Sequence, residues 1–439
     1  IMLKNIIKQV WNQRRMNGWI LLELIIAGFF LWTVVDPVYM LAVQHFTPKG
    51  YEEEGRFVLQ LSAYGQNSSK RDTTVTHEQQ QAAFQQIVRQ VNNCPEVESV
   101  VLVRNSSFPN GGSWSGTQLY ADTIQAKEGK YVHAQLYDYN NFEEGNIFKT
   151  YGMKDALTGG DVVVPEDAAT RGLYFVSEGF AKHMFGSVDV VGKKIYNNWN
   201  GTFSEIGGVF KDFKHRDFEP AYPLVVMVNN GFYDTPYMHY MYLVAFKLKD
   251  GVDAEAFEER FMKEEAPHME IANFYCTVFR SFESQRKEYA EQNGVYNLIR
   301  LKLSLAGFTL MCIFLGMVGT FWIRCNARRQ EVGLMRSLGA TQRNIVARFL
   351  FESALIVTVA FVVSLIALVH YAMEGNMTLI EGAGELRFAS IPWLLEDTPR
   401  FCMTSLITYL ILLLIALVGT IIPVRRATNV LPADALRDE

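Results

Sequence analysis

Four stretches of this chain are apolar over lengths that leave few folds open. They run over residues 18–42, 301–323, 346–371 and 402–423. The hydrocarbon core of a bilayer is about 30 Å thick, and a helix needs about 20 mostly apolar residues to cross it. Each stretch therefore predicts a transmembrane helix. The first is interrupted by Glu23 and Asp36. It is also too long for a secretory leader and lacks a small-residue cleavage site, so it reads as a retained anchor. A length of 439 residues suits such a bundle plus one globular domain.

Basic residues near the span ends set the orientation. Lys4, Lys8, Arg14 and Arg15 precede the first span. Arg324, Arg328, Arg329, Arg336 and Arg343 lie between the second and third, Arg348 stands at the start of the third, and Arg425, Arg426 and Arg437 follow the fourth. The same segments carry only Glu331, Asp434, Asp438 and Glu439 as acids. Both termini and the middle loop, 324–345, are thus expected on the cytoplasmic side. Residues 43–300 and the loop 372–401 are expected outside. Residues 1–17 read as an amphipathic helix lying on the inner leaflet, with Leu3, Ile6, Ile7 and Val10 on one face.

The long segment 43–300 has ordinary globular composition. Residues 56–64 and 97–103 read as strands around a helix at 76–93, in which Ala83, Phe84, Ile87, Val88 and Val91 share a face. The same order recurs with strands at 241–248 and about 274–280 around a helix at 253–265. Two β-α-β units would bracket an inserted β-rich subdomain at about 105–235, which includes a short helix beginning at Ser177. The predicted fold class is an α-helical membrane protein with four transmembrane helices plus an α+β extracytoplasmic domain. Residues 43–55 and 281–297 read as two helical stalks.

Several chemistries are excluded or weak. A net charge of -5 gives no sign of nucleic-acid binding. Five scattered cysteines form neither a disulfide framework nor a zinc site. Cys94 and Cys276, the two outside the apolar zones, fit a bridge or, better, two free thiols. The nearest approach to a phosphate-binding loop, Gly186 to Lys194, has one residue too many between its glycines and ends in Lys. No metalloprotease helix or nucleophile elbow occurs. Two acids in the spans, Glu23 and Glu352, sit near a membrane surface. Glu23 could pair with Arg14 or Arg15, and Glu352 with Arg348 one turn before it.

The loop Asn326-Ala-Arg-Arg-Gln-Glu-Val-Gly-Leu-Met-Arg-Ser-Leu-Gly-Ala-Thr341 places Val332, Met335 and Leu338 at helical spacing, and Gly339 can end that helix. Beyond its amphipathicity it resembles the coupling segment of FtsX/MacB-type ABC permeases. Two further stretches are similar to the same family. One is the tail Pro423-Val-Arg-Arg-Ala-Thr-Asn-Val-Leu-Pro432-Ala-Asp-Ala435-Leu436-Arg437-Asp-Glu439. The other runs from Ser177-Glu-Gly-Phe-Ala181 through Val191-Gly192-Lys193 and Ile206-Gly-Gly-Val209 to Asp212, and looks like the core of a MacB-like periplasmic domain.

The resemblance implies a non-catalytic, multi-pass permease of the bacterial inner membrane, with its large domain periplasmic. It would work by mechanotransmission: ATP hydrolysis elsewhere would do work on a periplasmic substrate, by efflux or by lipoprotein release. ATP and magnesium would be bound by a separate ABC ATPase subunit and no cofactor by this chain. The coupling residues it implies are Arg328, Arg329, Glu331, Val332, Gly333, Met335, Arg336, Leu338 and Gly339. In the tail motif they are Arg425, Arg426, Pro432, Ala435, Leu436 and Arg437. The apolar side of the coupling helix is expected to insert into the ATPase. A second permease, identical or not, completes the assembly, which leaves room for a periplasmic adaptor or outer-membrane protein. Two related alternatives are an ABC-linked antimicrobial-peptide sensor and an FtsX-like regulator of cell-wall hydrolases. A secondary transporter would need broken spans or deep ionisable groups, and neither is seen.

Overall fold

A computed structural model describes residues 14–111, 115–217, 219–232, 241–374 and 398–429. Contacts divide them into a helical unit drawn from both ends of the chain and a globular unit covering Gln44–Val295. The helices used below are α1 Arg14–Phe46, α2 His77–Asn92, α3 Glu178–Phe185, α4 Ala254–Arg260, α5 Phe282–Gln292, α6 Val295–Ala327, α7 Arg329–Ser337, α8 Gln342–Glu374 and α9 Thr398–Asn429. The strands are β1 Arg56–Ala63, β2 Val97–Arg104, β3 Gly116–Tyr120, β4 Val132–Asn140, β5 Tyr174–Ser177, β6 Lys194–Asn197, β7 Thr202–Phe210, β8 Leu224–Asn229, β9 Tyr242–Leu248 and β10 Phe274–Ser281. Residues 1–13 of the expected amphipathic segment 1–17, nearly all of the loop 372–401 and the tail beyond residue 429 lie outside the described residues, and residues 14–17 open α1.

In the globular unit, β10, β1, β9 and β2 lie side by side, each pair antiparallel. Their side chains alternate between faces with period two. Phe57, Leu59, Val100, Leu102, Val244 and Phe246 face α2, and Val58, Val101, Val103, Leu243 and Ala245 face the opposite core. Both faces are buried, so the strands read as near-continuous apolar runs. The α2 helix is set by a capping box: Thr76 Oγ1 accepts from the Gln79 amide at 3.3 Å, and Gln79 Oε1 accepts from the Thr76 amide at 2.9 Å. Its residues Ala83, Phe84, Ile87, Val88 and Val91 are all buried.

The middle of the unit closes on itself. β4 pairs with β3, β3 with β6, β6 with β7, β7 with β5, β5 with β8, and β8 returns to β4 in parallel over Gln135–Asn140. The six strands make a ring with no free edge, and closure removes the unpaired backbone groups that invite aggregation. Leu119, Val176, Ile195, Ile206 and Val225 form its core with Phe180 and Ala181 of α3. The ring joins the four-stranded part through two register pairs only, Leu102↔Asn140 and Val103↔Tyr139.

A continuous helical stalk over 43–55 does not form. α1 stops at Phe46, and the chain turns at Gly50, whose φ is +80°. A Cβ there would lie 2.0 Å from the Asp212 carbonyl oxygen, so only glycine fits. A break also separates α5 from α6, with Gly294 at φ +63°. The two ends of the unit are tied together instead. Glu53 and Asp217 take Lys49 at 2.9 and 3.5 Å and Arg286 at 3.1 and 3.4 Å, and Tyr51 donates to Asp217 at 3.2 Å.

In the helical unit, α1, α6, α8 and α9 each contain a segment long and apolar enough to cross a membrane. Ile20, Leu24, Ala27 and Leu31 of α1 pack with Ile356, Val357, Ala360 and Phe361 of α8 and Leu412, Ile415 and Ala416 of α9. Small residues allow the close approach: a Cβ on Gly28 would stand 2.9 Å from Ser364 Oγ, which itself donates to the Ile25 carbonyl at 2.7 Å. Asp36 is fully buried and accepts two bonds from Arg400 of α9, at 2.9 and 2.5 Å, beside Trp32 and Phe401. α6 buries little: Leu301, Leu305, Phe308 and Met311 are exposed.

Candidate functional site

The site is built around α7, the short helix between α6 and α8. Its C-terminus is fixed by backbone chemistry. Gly339 adopts φ +89°, its amide donates to the Arg336 carbonyl at 3.0 Å, and the Ala340 amide donates to the Met335 carbonyl at 3.0 Å. This pair of bonds satisfies carbonyls that a helix end leaves open, and it requires a residue tolerant of the left-handed region. Met335 and Ala340 pack at the same corner.

One face of α7 is turned into its own chain. Val332 is 2% exposed and packs with Ile345 and Phe349 of α8 and Val424 of α9. Gly333 is buried as well. The expectation that the apolar side as a whole inserts into a partner is therefore corrected. Val332 and Met335 seat the helix on α8 and α9, because a short amphipathic helix must bury its stripe on the nearest apolar surface. Leu334 and Leu338 remain outside, 53% and 79% exposed, with Gln330 and Ser337 beside them.

An ion cluster holds the other end. Arg328, the N-cap of α7, donates from Nε and Nη2 to the two carboxylate oxygens of Glu331 at 2.7 and 2.9 Å. Its Nη1 donates to Glu352 Oε2 of α8 at 2.7 Å, and its guanidinium lies 4.4 Å from the Phe349 ring centre. Arg324 of α6 donates from Nη2 to Glu352 Oε1 at 2.5 Å. Glu352 thus pairs with Arg324 and Arg328, not with Arg348, whose Nη1 meets the Met335 sulfur at 3.7 Å. A neighbour one turn away on the same helix loses to residues that packing brings across. Glu23 accepts from Thr320 of α6 at 2.8 Å, and the side chains of Arg14 and Arg15, its expected partners, lie outside the described ones.

Of the other sequence-singled residues, Arg329 and Gly339 belong to the helix and its stop, and Arg336 is half-buried. Arg425 and Arg426 are exposed at the end of α9, and Arg426 stands over the Trp322 ring at 5.4 Å. Pro432, Ala435, Leu436 and Arg437 lie outside the described residues. Sequence reasoning missed Arg324, Phe349 and Val424. The signal for Arg324 is its four-residue spacing from Arg328, which puts both on one helical face. Among the described residues, no group of three or more His, Cys, Asp or Glu side chains is placed to hold a metal ion. Cys94 and Cys276 are free thiols, each pushed up to about 11 mainly by burial.

Residues 303–432, which contain most of α6 and all of α7, α8 and α9, match the family described as FtsX-like permease, C-terminal. This part of the chain is an FtsX-like permease domain. Among solved structures, the periplasmic region of MacB from Actinobacillus actinomycetemcomitans is similar to 54% of this chain over 94% of its own length, at 12% identity and a TM-score of 0.33. The extracellular domain of the noncanonic ABC-type transporter YknZ, from Gram-positive bacteria, is similar over 50% of this chain and 100% of its own, at 11% identity and a TM-score of 0.29. No curated protein matches the chain. In the permease domain, the ion cluster and the Val332 seat hold α7 between two apolar helices, and Leu334 and Leu338 stay uncovered.

Proposed function

We propose that this protein is the permease subunit of an ABC transporter, with α7 as the helix on which an ATPase outside these 439 residues docks. The observation that carries the reading is the divided surface of α7: Val332 is locked inward while Leu334 and Leu338 point away from the chain. Exposed leucines at four-residue spacing on a held helix suit a partner that reads an amphipathic helix in a groove. The match to FtsX-like permeases supports the ABC assignment. ATP and magnesium belong to the ATPase. Hydrolysis there moves α7, and the movement does work on a substrate of the globular unit, on the periplasmic side. A second permease subunit completes the assembly.

The test is capture of an ABC ATPase by the full chain. Replacing Leu334 and Leu338 together with Asp puts two charges where an apolar contact is needed. Losing two buried leucine contacts removes about 3–6 kcal/mol of transfer free energy, so co-purification should fall by at least about a hundredfold. Unchanged capture at normal expression overturns the docking role of α7.

A further inference from the structure

We propose that Glu352 is the positioning residue of α7: its buried carboxylate fixes where the helix stands and so whether Leu334 and Leu338 can receive a partner. The inference rests on the docking reading above and names what controls that surface. Each oxygen of this one carboxylate takes a guanidinium from a different segment, Arg324 in α6 and Arg328 at the start of α7. Arg328 then grips Glu331, in the first turn of α7, through two parallel bonds. A single connected cluster therefore joins α6, α7 and α8.

Burial makes the cluster stringent. The side chains of Arg324, Arg328 and Glu352 are 3%, 4% and 2% exposed. Glu352 is the carboxylate shared by two buried guanidiniums, and its removal takes a charged partner from both of them out of water. Such clusters are weak evidence for stability, since apolar replacements of equal volume can be as stable. They fix geometry, because only one arrangement satisfies every partner.

At its N-terminal end α7, 9 residues long, has no side-chain cap on its first turn. Isolated helices shorter than about 12–15 residues are marginal in water. The Val332 seat gives it apolar adhesion, which is non-directional. Orientation comes from Arg328, whose fork fits a carboxylate in one plane. A shift of α6 against α8 pulls Arg324 and Glu352 apart, and Arg328 carries that change to α7.

The experiment is hydrogen exchange on the full chain in lipid nanodiscs, following the amides of residues 329–337 and, as a reference, of 356–361. Glu352→Gln keeps the shape and removes the charge. Exchange in α7 should speed up by about tenfold or more while the α8 reference stays within about twofold. Glu352→Asp, charged but one methylene shorter, should give an intermediate rate. Glu331→Gln removes the charge that Arg328 grips inside α7 and should loosen the helix with α8 untouched, which keeps the test open if the Glu352 variants fail to insert. Unchanged α7 exchange in a folded Glu352→Gln protein, or α7 and α8 loosening in step, overturns the positioning role. ATPase capture is measured on the same samples. A loosened α7 alongside a wild-type chain that captures no ATPase supports the positioning role and overturns the docking reading.

Discussion

At the scale of single residues, burial decides what a charge can do. Lys214 is 1% exposed, and its ammonium donates to the Gln44 carbonyl at 2.6 Å. Burial pushes this lysine below its usual range, with Lys49 adding to the shift and Asp217 opposing it. Between the lowered value and 10.5, the unfolded chain binds a proton that the folded chain does not. Stability therefore rises with pH through that alkaline window. A Lys214→Met variant should lose that rise, so the parent's unfolding midpoint should gain on the variant's as pH rises from neutrality into that window. A constant difference at every pH would contradict the assignment. The same logic separates legible from illegible charges. Arg328 and Glu331 can be paired by eye, three residues apart on a helix. Glu352 cannot, since its partners come from 24 and 28 residues away and only packing supplies that distance.

At the scale of elements, α1 adds to its apolar face one buried ion pair and one close approach at a missing side chain. Removing the carboxylate in Asp36→Ala takes two charged hydrogen bonds from the buried Arg400, at a cost of about 3–5 kcal/mol. Unfolding in detergent, followed by the fluorescence of Trp32 beside the pair, measures this. A midpoint equal to wild type would mean that Arg400 finds water instead. Gly28→Val should cost about 1–3 kcal/mol by overpacking against Ser364, provided the helices cannot spread. Elements with periodic apolar faces are readable in the sequence: the buried residues of α2 are the five that share its face, and Ser177 caps α3 by accepting from the Phe180 amide. Closure of six strands into a ring is not readable. The parallel β4–β8 pairing joins segments that composition shows only as short apolar runs, and nothing local in Leu224–Asn229 names its partner. The inward turn of Val332 is hidden for the same reason, because an amphipathic stripe does not say which surface it meets.

At the scale of the whole molecule, the proposed topology puts the globular unit and α7 on opposite sides of the membrane. Trp199, 91% exposed at the tip of the β6–β7 hairpin, offers a probe position. A cysteine placed there should react with an impermeant maleimide from outside intact spheroplasts, above the background of the unsubstituted chain. One placed at Leu338 should react only after permeabilisation. The opposite pattern would reverse the orientation drawn from the basic residues. The globular unit has one more property of consequence. Its first and last strands are hydrogen-bonded neighbours, with Phe57 opposite Ser281, and Arg286 just beyond holds Glu53 just before. Partners across an antiparallel ladder are about 4.5–5.5 Å apart. The chain therefore leaves this unit where it came in, as luggage leaves by the handle that lifted it. The spacing of the two ends is therefore held by the ladder between β1 and β10 and not by the length of chain that lies between them.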